Sequence, residues 1–147
     1  MDIIRADNSR TEMGLLDNIK IDIDVGIDND FEIQTSTINN CLNVGDYFYI
    51  EGSEYGGVVR DITVDTRNSS IKYNGATFRG LLNERIIEPL SGAAYRTVSG
   101  NSASIISTLL AECDLDYIFV ADSSATVGIT SFQFDRYCTV LDGLNKM

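Results

Sequence analysis

Histidine is absent from this chain, and so is tryptophan. The first absence removes Ser-His-Asp and Cys-His nucleophile systems, HExxH zinc sites and every histidine general base. Only carboxylate or lysine chemistry survives that cut. The second removes the indole rings common in sugar-stacking sites. Basic residues are scarce: 11 Lys and Arg stand against 22 Asp and Glu, a net charge of −11. Such a surface repels phosphate backbones and anionic lipid, which disfavours binding to nucleic acid or membrane; solubility alone also favours it. Cys41, Cys113 and Cys138 are odd in number and show no C-x-x-C spacing. They are expected as buried thiols in a reducing compartment, and neither as a disulfide frame nor as a zinc site. No apolar run approaches the roughly 20 residues of a membrane helix, and the first residues carry acids where a leader would be apolar. The chain is therefore expected to be made, and soluble, in the cytoplasm.

What remains is an ordinary globular composition, 44% hydrophobic and 22% charged over 147 residues. That length sustains one domain, or one domain and a fragment of a second, with a sizeable core. The pattern predicts an α+β chain, mainly β. Residues 1–14 are polar and irregular, and are expected to form a flexible arm. In residues 19–27, Ile19, Ile21, Ile23, Val25 and Ile27 alternate with Lys20, Asp22 and Asp24, the period of a half-buried strand. Asp28-Asn29-Asp30 then predicts a turn, and Phe31 to Thr35 resumes the alternation. A connector at 36–43 follows, with Leu42 and Val44 expected in the core.

Residues 45–89 carry the densest strand signals: Tyr47 to Ile50, then Val58, Val59, Ile62 and Val64, then Ile71 and Tyr73. Asn74-Gly75 predicts a hairpin turn, since both central residues of a type I′ turn need positive φ. Together, residues 15–90 are expected to be a β-barrel or meander domain. Leu81, Leu82, Ile86 and Ile87 suit one or two helical turns or a buried strand, ended by Pro89, the single proline. Residues 91–147 are expected to be a small α/β subdomain: a loop at 91–100, then a helix capped by Asn101 or Ser102 with Ile105, Ile106, Leu109 and Leu110 on one face. That helix is expected to stop near Cys113, where acids oppose its dipole. Tyr117 to Val120 predicts a strand, Val127 to Ile129 a small strand or bulge, and Phe132 to Phe134 a further alternating stretch. Val140, Leu144 and Met147 suggest a final helix. It ends without a stop signal, as expected for part of a longer protein.

Four groups of residues carry candidate chemistry. Asp22, Asp24, Asp28, Asp30 and Glu32 are dense in acids, but no register gives the EF-hand pattern, because Ile27 or Asn29 falls where glycine is required. Glu51-Gly52-Ser53-Glu54-Tyr55-Gly56-Gly57 lacks the Lys-Ser/Thr of a phosphate loop and reads as a turn with close backbone approach. Glu51 and Glu54 are the candidate glycosidase-like pair. Arg60, Arg79, Arg85, Arg96 and Arg136 sit beside apolar runs and read as interface or ion-pair arginines. Asn68-Ser69-Ser70 matches a glycosylation sequon, without meaning in a cytoplasmic chain. No catalytic, cofactor-binding or metal-ligating residue is expected.

Several stretches resemble the N-terminal part of phage and prophage tail hub proteins. They are Glu51-Gly52-Ser53-Glu54-Tyr55-Gly56-Gly57-Val58, Ile71-Lys72-Tyr73-Asn74-Gly75, Phe78-Arg79-Gly80-Leu81-Leu82 and Arg85-Ile86-Ile87-Glu88-Pro89. Gly92, Tyr95, the helix after Asn101 and Phe132-Gln133-Phe134-Asp135-Arg136-Tyr137 continue the likeness, which spans residues 42–147. The resemblance implies an antiparallel split β-barrel similar to tail-tube proteins. It also implies a structural, non-enzymatic role, without cofactor, in the ring that connects tail tube to tip, spike or lysin. Implied partners are further copies of the chain, as a trimer, with tube or distal tail proteins and spike or lysin proteins. The resemblance further implies that DNA passes through the lumen without specific binding and that the membrane is not a partner. A β-rich surface binding module, such as an adhesin or carbohydrate-binding domain, is the alternative, and a carboxylate glycoside hydrolase a third.

Overall fold

One antiparallel sheet of seven strands organises the first half of the chain. The structure is a computed structural model that describes residues 2–39, 41–124 and 126–147. The strands are β1 (Ile3–Ala6), β2 (Glu12–Leu15), β3 (Lys20–Ile23), β4 (Asp30–Ser36), β5 (Tyr47–Ile50), β6 (Gly56–Asp65) and β7 (Ser70–Thr77), which runs into α1 (Phe78–Asn83). Their order in the sheet is β2-β1-β5-β6-β7-β4-β3. The sheet does not close into a barrel: β2 and β3 are its edges. The chain divides into two compact units, Met1–Leu81 and Leu82–Met147, so the boundary falls earlier than the expected 90/91.

Register explains the core. Directly paired residues of an antiparallel ladder point to the same face. Ile3 pairs with Ile50 and Tyr73 with Ile33, which places Ile3, Phe48, Ile50, Val59, Ile71, Tyr73, Phe31 and Ile33 on one face. Leu16 and Leu42 join them in the core cluster. Phe48, Tyr73 and Ile33 are wholly buried, each contributing about 1.5–3 kcal/mol by leaving water. Tyr73 is buried with its hydroxyl accepting from the Cys41 backbone N–H at 3.2 Å. Arg5 Nη1 donates to the Cys41 carbonyl at 2.7 Å. Val44, expected in the core, is 61% exposed.

Three further expectations are corrected in this unit. Residues 1–14 are no arm. They supply β1 and β2, and the polar stretch between them is a turn in which Asp7 Oδ1 accepts from the backbone N–H groups of Ser9 and Thr11 at 2.9 and 2.8 Å. Asn74-Gly75 is no hairpin turn. It lies inside β7, between β4 and β6, with Gly75 paired to Phe31 on one side and Val59 on the other. The turn between β6 and β7 is the polar stretch 66–69, where Ser69 takes a φ of +50°. Glycine stands at 75 because a Cβ there meets the Val58 carbonyl oxygen at 2.0 Å and the Phe31 ring at 3.0 Å. A register shift between Val59 and Asp61 marks a bulge at this point of β6. Gly57 is likewise floored by Phe31, at 2.8 Å. The Phe31 ring therefore lies over two glycines on β7 and β6 and meets Phe48 of β5 edge-on, with ring centroids 4.6 Å apart. The third correction concerns Cys41, which is half-buried; desolvation still raises its thiol above the ordinary range.

The second unit holds a two-stranded antiparallel sheet, β8 (Thr97–Asn101) with β9 (Gly128–Gln133), and helices α2 (Ser102–Glu112) and α3 (Val140–Lys146). β8 lies where a loop was expected. Tyr117 to Val120 is no strand: the Leu115 carbonyl accepts from the N–H groups of Ile118 and Phe119, curling the run into turns around the buried Leu115. α2 begins and ends as its sequence predicts. Asn101 Oδ1 accepts from Ala103 N at 2.9 Å, and Cys113 is the C-cap. Ile87, Ile105, Leu109, Leu115, Phe134 and Val140 are buried. Cys113 and Cys138 are half-buried rather than buried.

Candidate interaction surface

The second face of the seven-stranded sheet is polar and strongly acidic. Asp22 pairs with Glu32, Glu32 with Asn74, and Asn74 with Asp61, so these four residues form one row across β3, β4, β7 and β6. The adjacent row is Lys20, Gln34, Lys72 and Thr63. Lys72 Nζ reaches back to Glu32, with contacts of 2.8 and 3.0 Å to the two carboxylate oxygens. Both partners are about two-fifths exposed, so this pair contributes at most about 1 kcal/mol. Asp30 and Asp65 lie on the same face, by their pairing with Ala76 and Ser70. Asp22, Asp24, Asp30 and Glu32 border a concavity of about 360 Å³ over this end of the sheet. Toward β5 the face turns aromatic with Tyr47 and Tyr49, and the Tyr49 hydroxyl donates to Glu12 of β2. That bond, foremost, raises the phenol above its ordinary value.

The acids that suggested calcium divide between two tasks. Asp24 Oδ1 accepts from the backbone N–H groups of Ile27, Asp28 and Asn29 at 3.3–3.4 Å, which closes the β3–β4 turn. Asp22, Asp30 and Glu32 belong to the acidic face. Among the described residues, no group of three Cys, Asp or Glu side chains is placed to hold a metal ion. Glu51 and Glu54 lie exposed on the turn between β5 and β6, where Gly52 takes a φ of +71°. Glu54 borders a small concavity with Tyr55, Phe78 and Arg79, and Glu51 does not border that one. Asn68-Ser69-Ser70 occupies the β6–β7 turn, and Asp65 holds it: its carboxylate accepts from the N–H groups of Arg67 and Asn68 and from the Asn68 amide at 2.6 Å.

Of the five arginines singled out, Arg60, Arg79, Arg85 and Arg136 are exposed. Arg136 lies over the Tyr137 ring, 5.2 Å from its centroid. Arg96 alone is buried, and its Nη2 donates to Glu112 at 2.8 Å. Sequence reading missed two polar residues that the fold depends on. Asn29 is 2% exposed, and its carbonyl accepts from both the N–H and the hydroxyl of Thr77. Arg5 was passed over because it lay in the presumed arm. Asn29 carried one available signal, as the middle residue of a turn triplet with a left-handed φ of +53°.

In the second unit a concavity of about 580 Å³ is bordered by Glu84, Arg85, Glu88, Glu112, Cys113 and Asp114. Desolvation by burial raises the Cys113 thiol, with Glu112 adding to it, which makes it a poor nucleophile at neutral pH. No protein-family model matches the chain, and no curated protein matches it.

Proposed function

We propose that the chain is a structural component of a phage or prophage tail hub. It forms, with further copies of itself, part of the ring connecting the tail tube to the tip, spike or lysin. The observation that carries this reading is the acidic row of Asp22, Glu32 and Asp61 across a sheet with two free edges. An open sheet is completed by strands from outside it, and unpaired edge strands are the means. On this reading the sheet is one panel of a split, tail-tube-like barrel, repeated about a threefold axis. With the acidic face turned to the lumen, phosphate backbones slide past, because Asp22, Asp30, Glu32, Asp61 and Asp65 outnumber Lys20 and Lys72 on that face and the net lining repels them. The likeness across residues 42–147 supports the same conclusion, and the role is non-enzymatic.

Electron microscopy of the purified protein tests it, together with a DNA-retention assay on the variant with Asp22, Glu32 and Asp61 all changed to Lys. Threefold rings lined by the acidic row are expected. The wild type should leave double-stranded DNA unbound at low salt, and the variant should retain it, more weakly as salt rises. A ring whose lumen is lined mainly by Arg and Lys overturns the proposal. So does saturable binding to a glycan array, which belongs to the surface-module alternative.

A further inference from the structure

Asn74-Gly75 is held where its own chemistry cannot run. In an asparagine–glycine pair the glycine nitrogen can attack the side-chain amide carbon before it, since no Cβ on the glycine hinders the approach. Register fixes where that nitrogen points. Thr77 N donates to the Asn29 carbonyl, and Gly75, two residues back, pairs with Phe31, two residues on. By alternation the Gly75 N–H also faces β4 and donates to the Phe31 carbonyl. On the other side of β7, Val59 gives its N–H to the Asp46 carbonyl and its carbonyl to Gly45 N. Val58 therefore faces β7, where it holds the main chain of its partner Ala76.

The two neighbours restrain Asn74 unequally. β6 shifts register between Val59 and Asp61, opposite Gly75 and Asn74, so its ladder is loosest at this point. β4 runs past without a shift, from the pair Asp30 and Ala76 to the pair Ser36 and Ser70. The Asn74 side chain is half-buried on the acidic face, and it borders the concavity with Asp22, Asp30 and Glu32. Burial does not protect its amide. What protects it is the bond that ties the Gly75 nitrogen to β4.

We propose that Asn74-Gly75 is a self-modification site gated by β4. When β4 leaves β7, the Gly75 nitrogen loses its proton to solvent and bonds to the Asn74 Cγ. The side-chain nitrogen takes up a proton and departs as ammonia, which leaves a cyclic imide. Water then opens the imide at either carbonyl. One opening gives aspartate, a further carboxylate between Glu32 and Asp61 in the acidic row. The other gives isoaspartate, which inserts an extra carbon into the main chain of β7. Such a strand cannot regain its register, and Gly75 has no room to absorb the change: even a Cβ there meets the Val58 carbonyl oxygen at 2.0 Å. A chain whose β4 lets go is thereby marked, and in the isoaspartate form it cannot reclose. The inference does not rest on the hub reading, and each can fail without the other.

The test incubates the full chain and a free peptide of residues 70–79 in mildly alkaline buffer. Peptide mapping follows the loss of the Asn74 amide, and enzymatic methyl transfer counts isoaspartate. The folded chain is expected to react at Asn74 at least about a hundredfold more slowly than the peptide. Amide exchange on the ¹⁵N-labelled wild type then measures the gate without any variant. The open fraction at the Gly75 N–H should match the ratio of the two rates within about tenfold, and the Ala76 N–H, held by β6, should exchange more slowly. Thr77→Val removes a hydroxyl that donates to the Asn29 carbonyl of the β4 side and should speed the reaction about fivefold. Tyr49→Phe, on β5, should leave it unchanged. Equal rates in chain and peptide, or equal exchange at Gly75 and Ala76, overturns the proposal. So does a Thr77→Val chain, folded by circular dichroism, that reacts no faster than the wild type.

Discussion

The two units use their main chain in opposite ways. In Met1–Leu81, β6 and β7 run long and lie between paired neighbours, and the apolar face of the sheet is filled by Phe48, Tyr73 and Ile33. Beyond its edge strands β2 and β3, what that unit offers to other molecules is a face of fixed charge carried on paired inner strands. In Leu82–Met147 the sheet has two short strands, and neither is enclosed. What it offers is an edge. Completed pairing produces a rigid, chemically simple surface, whereas incomplete pairing leaves directional main-chain groups looking for partners.

Glycine substitutions sharpen this contrast most. At Gly75 a new Cβ meets a backbone oxygen at 2.0 Å, whereas at Gly143 of α3 it meets the Ile87 Cδ1 at 2.6 Å and the Phe134 ring at 3.0 Å. Backbone inside a seven-stranded ladder cannot move aside, but the tips of side chains can. Gly75→Ala should destabilise by about 3 kcal/mol or more. Gly143→Ala should change stability by less than about 1 kcal/mol, since better helix propensity offsets the crowding. Urea unfolding of both variants measures the difference, and equal losses would break the comparison.

A smaller effect is expected at the junction of edge and helix. Asn101→Ala removes the acceptor for the Ala103 and Ser104 N–H groups and should cost about 1 kcal/mol. Amide exchange should quicken in the first turn of α2 and leave β6 and β7 unchanged.

The smallest is a pH effect at the β6–β7 turn. The Asn68 side-chain amide, then its backbone N–H, holds the Asp65 carboxyl below its ordinary 3.8. A carboxylate depressed in the folded state contributes fully above its unfolded value, and that contribution is lost as pH falls through the folded one. The Arg67 and Asn68 amides should therefore remain protected at pH 5 and exchange faster below about 3.8. In Asp65→Ala this pH step should disappear.

Much of the fold was legible because apolar residues alternated where one face is buried. Phe31 to Thr35 became a strand on that signal, and Tyr47 to Ile50 and Val58 to Val64 on their aromatic and β-branched residues. The cap at Asn101 was legible because its chemistry is local. Asn74-Gly75 was misread for a physical reason: the same dipeptide serves a tight turn and a close approach of two strands, and only the neighbouring Val58 and Phe31 distinguish them. β1 and β8 are too short, at four and five residues, to show a period. The acids of the polar face were visible singly. Their alignment was not, because it depends on which strands become neighbours, and β4 is paired with β7 across β5 and β6 in the sequence.

The Phe31 ring also sets an order of events. Its resting place is a slot with one glycine floor on β6 and another on β7, and the slot exists only after those two strands have zipped together. That hairpin closes through a short local turn, while β4 must be brought in from far away in the chain, a slower search. Refolding should therefore begin at β6 and β7, and the arrival of β4, with its ring sliding over the two glycines, should be the step that commits the unit to its native state.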